Sequence, residues 1–139
     1  MPERGTILVV DDEQPTCELL QEILGAEGYH VLTANSGHEA LILFHQHVAE
    51  IQVVLLDLWM PGMSGRVVCE EIYRTHPGTR VIFVTALNQP LTQAVLAGLP
   101  VAGALSKPFE RADLLANVRE VVGGEGSRQE VSPWRHHGL

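Results

Sequence analysis

No apolar stretch in these 139 residues approaches the length of about eighteen needed to cross a bilayer, although hydrophobic residues make up 45% of the chain. A helical membrane span is therefore excluded. The opening Met1-Pro2-Glu3-Arg4-Gly5 has no basic flank, apolar centre or small-residue cleavage site of a secretory signal, so a cytoplasmic protein is expected. Cysteine is scarce: Cys17 and Cys69 share no CxxC spacing and read as reduced residues on helices. Positive charge is also short. Nine basic against seventeen acidic side chains give 9 − 17 = −8, which argues against sequence-independent binding to nucleic acid or an anionic membrane and favours a basic partner surface. Internal repeats and low-complexity tracts are missing too. The length suits one domain with a real core and no disulfide staples.

What the chain does contain is an alternation. Residues 6–10, 30–34, 51–57, 80–85 and 103–106 are short, apolar and rich in Val and Ile, which predicts strands. Between them, helical spacing predicts helices over 14–27, 37–47, 64–75, 90–97 and 110–122. The first would place Cys17, Leu20 and Leu24 on one face and stop at Gly28. The second would group Leu41, Phe44 and Val48; the third, capped by Ser64, would group Val67, Val68, Glu71 and Ile72; the last would carry Leu114, Val118 and Val121.

Five strands alternating with five helices call for a parallel sheet covered on both faces, because right-handed crossovers join parallel neighbours. The runs "ILVV" and "IQVVLL" hardly alternate, so strands one and three belong in the middle; the mixed 30–34 suits an outer position. In such folds ligands bind beyond the carboxyl ends of the strands. A domain over 1–122 is expected. The remaining 123–139, glycine-rich at first and without apolar period, reads as a flexible tail or linker too short for an effector domain.

The stretch "IQVVLLDLWMPGMSG" ends a buried strand on a carboxylate, Asp57, before breaking at Pro61 and Gly62. A half-desolvated carboxylate is costly unless protons, cations or donors compensate it, so Asp57 either caps the next element or does chemistry. The other strand ends decide between these. Strand one finishes on Asp11-Asp12, strand four on Thr85, and strand five on Ser106-Lys107-Pro108. Each alone could be a turn residue or a helix cap; together they would put three carboxylates, a hydroxyl and an ammonium on one rim. Clustered carboxylates there suit Mg²⁺, a hard ion that takes one or two of them along with waters and phosphate oxygens. A carboxylate beside Mg²⁺ and a lysine can act as nucleophile toward a phosphoryl group, while Lys107 and the metal balance its equatorial oxygens and Thr85 hydrogen-bonds one of them.

With "ILVVDDE", "VVLLDLWMPGMSG", "VIFVTA" and "SKPF" at similar spacing from residue 6 to about 122, the chain resembles the receiver domains of two-component response regulators. The resemblance implies a doubly wound, flavodoxin-like α/β fold with strand order 2-1-3-4-5. It also implies Asp57 as phosphoacceptor, Asp12 as a direct Mg²⁺ ligand, Asp11 as a ligand through water, and the Trp59 backbone carbonyl as the remaining protein ligand. Thr85 and Lys107 would contact the phosphoryl group, and the Lys107-Pro108 bond would be cis. The implied donor is a histidine kinase or a histidine phosphotransfer protein, and the implied reader an output domain or effector protein. Receivers catalyse their own phosphorylation and dephosphorylation, so enzyme is a matter of definition. Members often dimerise through the face that carries Ala104, and a homodimer stays open here.

The chain departs from the family in places. Three residues before Lys107 the family usually has Tyr or Phe, whose ring swings inward on activation; here Ala104 has no rotamer to swing. Either coupling through that face is weak, or Ala104 packs under a differently placed fourth helix. The segment "LAGLPVAGALSKP" is long for the link it makes, and Pro100 and Gly103 leave its path open. Trp59, with Leu87 as an apolar wall, could shield an acyl phosphate from water, or Trp59 could be an exposed partner contact. Of the seven histidines, His45 and His47 lie two apart and make a poor chelate, and His136-His137 fall in the tail; all read as surface residues.

Rival readings are kept in view. A haloacid-dehalogenase-type phosphatase would want a second Asp two residues after the nucleophile, where Trp59 stands. A docking-only pseudo-receiver would lack an acidic or lysine position, and none is missing. The module could equally belong to a hybrid histidine kinase or a multidomain regulator.

Overall fold

In the computed structural model, which describes residues 4–86, 90–99 and 101–123, the elements run β1 (Thr6–Val10), α1 (Gln14–Ala26), β2 (His30–Ala34), α2 (Gly37–Gln46), β3 (Ile51–Leu56), α3 (Gly65–Thr75), β4 (Arg80–Thr85), α4 (Pro90–Leu96), β5 (Gly103–Ser106) and α5 (Arg111–Gly123). The five strands form one sheet in the order β2-β1-β3-β4-β5, all pairs parallel. β1 and β3 are interior and the mixed β2 lies at an edge, as their hydrophobic patterns require.

Alternation along each strand splits the core in two. Leu8, Val10, Val54, Leu56, Phe83 and Ala104 point to one layer, which also takes Phe44 of α2, Val68 and Ile72 of α3 and Leu96 of α4. Their immediate neighbours Ile7, Val9, Val53, Leu55, Ile82 and Leu105 point to the other, with Leu20 and Leu24 of α1 and Leu114 and Val118 of α5. Side-chain period two on a sheet buried from both sides explains why these strands look continuously apolar in sequence.

Local chemistry sets the helix starts. Ser36 and Ser64 cap α2 and α3, their hydroxyls accepting from the backbone N–H of Glu39 at 3.1 Å and of Val67 at 3.4 Å. Glu39 reaches back to accept from the Asn35 N–H at 2.8 Å. Gly28, at φ +100°, takes the left-handed conformation that closes the turn after α1.

Several expectations need correction. β3 stops at Leu56, one residue short, although the Asp57 N–H still donates to Val10 O. On α3, Val67 is 46% exposed and Glu71 pairs with Arg74 at the surface; Cys69 fills the core position instead. On α2 the fully buried pair is Ala40 and Phe44, with Leu41 and Val48 only partly covered. The faces read for α1 and α5 are buried as expected, and both cysteines are buried and outside any disulfide. The Lys107-Pro108 bond is cis. Leu87, Pro100 and the tail histidines lie outside the described residues. Among the described residues no helix is long and apolar enough to cross a membrane.

Candidate functional site

Register builds the site. Val10 pairs with Leu56, so the chain's next residues, Asp11 and Asp57, leave the sheet side by side. Both are held by backbone hydrogen bonds that extend the ladder: Asp57 N–H donates to Val10 O at 3.0 Å, and Asp11 N–H to Ala34 O at 3.0 Å. Thr85 pairs with Ser106, and the Lys107 N–H donates to Thr85 O at 2.9 Å, which brings the lysine to the same rim. Ladder geometry, not loop folding, positions four of the five polar groups.

Asp11, Asp12 and Asp57 each present a carboxylate oxygen within 4.8 Å of the others; Asp11 and Asp57 are buried and Asp12 is exposed. Lys107 Nζ lies 2.6 Å from Asp11 Oδ2 and 3.6 Å from Asp57 Oδ2. The Thr85 hydroxyl, fully buried, hydrogen-bonds the Asp57 carboxylate. Three carboxylates against one ammonium leave two negative charges in surplus, which suits a divalent cation of hard, oxygen-seeking character. The donor set therefore fits Mg²⁺.

Electrostatics agree with the geometry. Burial pushes the Asp57 carboxyl above the usual carboxylate range, opposed by the Lys107 ammonium and reinforced by the Asp11 charge. For Lys107, burial works against the charged form, but the Asp11 hydrogen bond and the Asp57 charge outweigh it and hold the ammonium above its ordinary value. Lys107 is thus a fixed cation at any physiological pH, whereas Asp57 carries its charge at a cost.

Some supporting residues escaped the sequence reading. Asn35 Nδ2 donates to Asp11 O at 3.0 Å, and Cys17 Sγ contacts the same carbonyl at 3.3 Å, so both fix the backbone of Asp11. Burial, then the Asp11 charge, drives the Cys17 thiol up to about 11, so it stays protonated. Glu13 Oε1 lies 3.9 Å from Lys107 Nζ. The hint for Asn35 and Glu13 was present: one follows β2, the other follows Asp11-Asp12. Gly65 is required by close approach, since a Cβ there would lie 2.2 Å from Asp57 O. Trp59 is 41% exposed, and its indole Nε1–H donates to Thr92 Oγ1 at 2.8 Å. The histidines form no metal-binding cluster among the described residues; His45 Nδ1 lies against Leu41 O, and His47 against Glu50.

Comparisons with known proteins point to one family. The response regulator receiver domain model matches residues 7–119. The chain is 38% identical over 116 residues to the probable transcriptional regulator ycf27 of Guillardia theta, covering 84% of this chain and 44% of that protein. It is 36% identical over 116 residues to the transcriptional regulatory protein CpxR of Klebsiella pneumoniae, covering 84% and 48%. The chain spans about half the length of the curated relatives it matches. Among solved structures, it superposes with TM-score 0.75 and 34% identity on the response regulator TrrA of Thermotoga maritima in complex with Mg²⁺ and BeF, covering 84% of this chain and 98% of that one. It also superposes, with TM-score 0.78 and 31% identity, on the CheX–CheY–BeF3–Mg²⁺ complex of Borrelia burgdorferi, covering 84% and 88%.

Proposed function

The chain belongs to the response regulator receiver domain family of two-component signalling, and from that premise we propose that Asp57 accepts a phosphoryl group in a Mg²⁺-dependent reaction that switches partner binding. The observation that carries this reading is the single ammonium of Lys107, 2.6 Å from Asp11 and 3.6 Å from Asp57, amid three carboxylates on one rim.

Asp12, Asp57 and the backbone carbonyl of Trp59 would hold the ion directly, and Asp11 through water. When bound, Mg²⁺ neutralises the surplus charge and balances the equatorial oxygens of the phosphoryl group. The rest is the work of the chain itself. An Asp57 oxygen attacks phosphorus of a phosphohistidine; the O–P bond forms as the P–N bond breaks, and the imidazole nitrogen keeps the electron pair. Lys107 donates to one oxygen of the transferred group and the Thr85 hydroxyl to another. Water later hydrolyses the acyl phosphate, and the bulky Trp59 side chain, two residues along the chain, limits water's approach.

The donor is a histidine kinase or a histidine phosphotransfer protein in the cytoplasm, and the reader an output domain or effector protein. Residues 1–122 form the receiver unit and 123–139 serve as linker or tail. A module within a hybrid kinase or multidomain regulator would use the same chemistry, while a docking-only pseudo-receiver would not. Incubation with acetyl phosphate and Mg²⁺, followed by intact mass, separates them: the native chain should gain one phosphoryl group and Asp57→Asn none. Equal gain by both, or none by either, would sink the proposal.

A further inference from the structure

Trp59 is engaged at both ends. Its backbone N–H donates to Asp57 Oδ1 at 3.4 Å, a long and therefore easily perturbed bond. Its indole N–H donates at 2.8 Å to the hydroxyl of Thr92, thirty-three residues away on α4. Thr92 is fully buried, and a buried hydroxyl needs partners. One turn later on the same helix, Leu96 sits in the apolar layer that holds Ala104 and Val101. So α4 is placed by a side chain in the core and by a hydrogen bond to the loop that carries the reactive carboxylate.

On β5, by contrast, the fully buried residue in that layer is Ala104. A methyl has no rotamer to switch, so that face of β5 carries no side-chain device of its own.

We infer that Trp59 is a positioning residue that ties the state of the Asp57 carboxylate to the placement of α4 through the Thr92 hydroxyl; the inference rests on the phosphoacceptor reading above. Any change at Asp57 that withdraws charge from Oδ1 weakens the acceptor of the Trp59 N–H. The peptide then moves, the rigid indole carries the movement outward, and the strong bond at its far end transmits it to the buried face of α4. Surface recognition of the activated chain would accordingly track α4.

The test uses Mg²⁺ and beryllofluoride as probe, with ¹⁹F spectra reporting occupancy and amide shifts reporting movement. In the unaltered chain and in Thr92→Ser, which keeps the hydroxyl, amides of residues 92–96 should shift on addition. In Thr92→Val the bound-fluoride signal and the shifts at residues 57–59 should persist while those of 92–96 fall at least threefold. Trp59→Phe, which keeps a ring but loses the N–H donor, should show the same loss on α4. Bound fluoride with undiminished α4 shifts in Thr92→Val and Trp59→Phe would overturn the linkage alone. No bound fluoride in the unaltered chain would overturn the phosphoacceptor reading and the linkage with it.

Discussion

The two ends of the sheet handle charge in opposite ways. At the amino ends of the strands, Arg80 Nη1 donates at 2.9 Å to Val121 O in the last turn of α5, where a cation meets the negative end of the helix. That rim borders an open cleft of about 690 Å³ lined by Ile51, Gln52, His76, Pro77 and Arg80 among others. Its charge is matched by backbone from the same fold. At the carboxyl ends, Asp11, Asp12 and Asp57 face one another across less than 4.8 Å with Lys107 as their cation. One rim uses charge to hold an element in place; the other carries unbalanced charge that an external cation can neutralise, at a cost to the metal-free fold. Opposite signs of effect on mutation are the signature of that difference.

The largest effect should come from the backbone that builds the rim at the carboxyl ends. Gly65→Ala would drive a Cβ to 2.2 Å from Asp57 O and 2.8 Å from Leu58 Cα, both backbone atoms that cannot swing aside. A loss of about 3 kcal/mol in urea unfolding is expected, and wild-type stability would show that the loop is softer than its geometry implies. Next, at the amino-end rim, Arg80→Met should cost about 1.5 kcal/mol by removing the charged bond to Val121 O.

Asp57→Asn should act in the other direction. Burial holds the folded carboxyl above its unfolded value near 3.8, with Lys107 opposing, so the folded chain grips that proton more tightly than the unfolded one. Stability from this group is full below the unfolded value and is lost as pH rises through the folded one. Above that window the charge is a standing cost, and Asn should stabilise the metal-free protein by about 1 kcal/mol, a rise of several degrees in melting temperature. A drop instead would mean that Lys107 already balances the rim. The smallest effect concerns reactivity: with its thiol pushed up to about 11, Cys17 should alkylate at pH 8 far more slowly than in the urea-unfolded chain.

Much of this was legible in the sequence because period-two strands and helical stripes report burial directly. Strand ends on Asp11, Asp57, Thr85 and Lys107 could be read as one rim because a parallel sheet puts all carboxyl ends together. What could not be read depends on rotation and register. Val67 and Cys69 fit an apolar face equally well by pattern, and only the packing of α3 chose Cys69. The bond from Trp59 to Thr92 spans thirty-three residues and leaves no local pattern in the chain. Asn35 follows β2 directly, but its contact with Asp11 arises only once β1 pairs with β2.

Thermal unfolding of the unaltered chain and of Asp57→Asn across a Mg²⁺ titration tests the charge imbalance most directly. Mg²⁺ should raise the melting temperature of the unaltered chain and have a much smaller effect on the variant, so that the gap between them closes. Equal responses, or none in the unaltered chain, would contradict it.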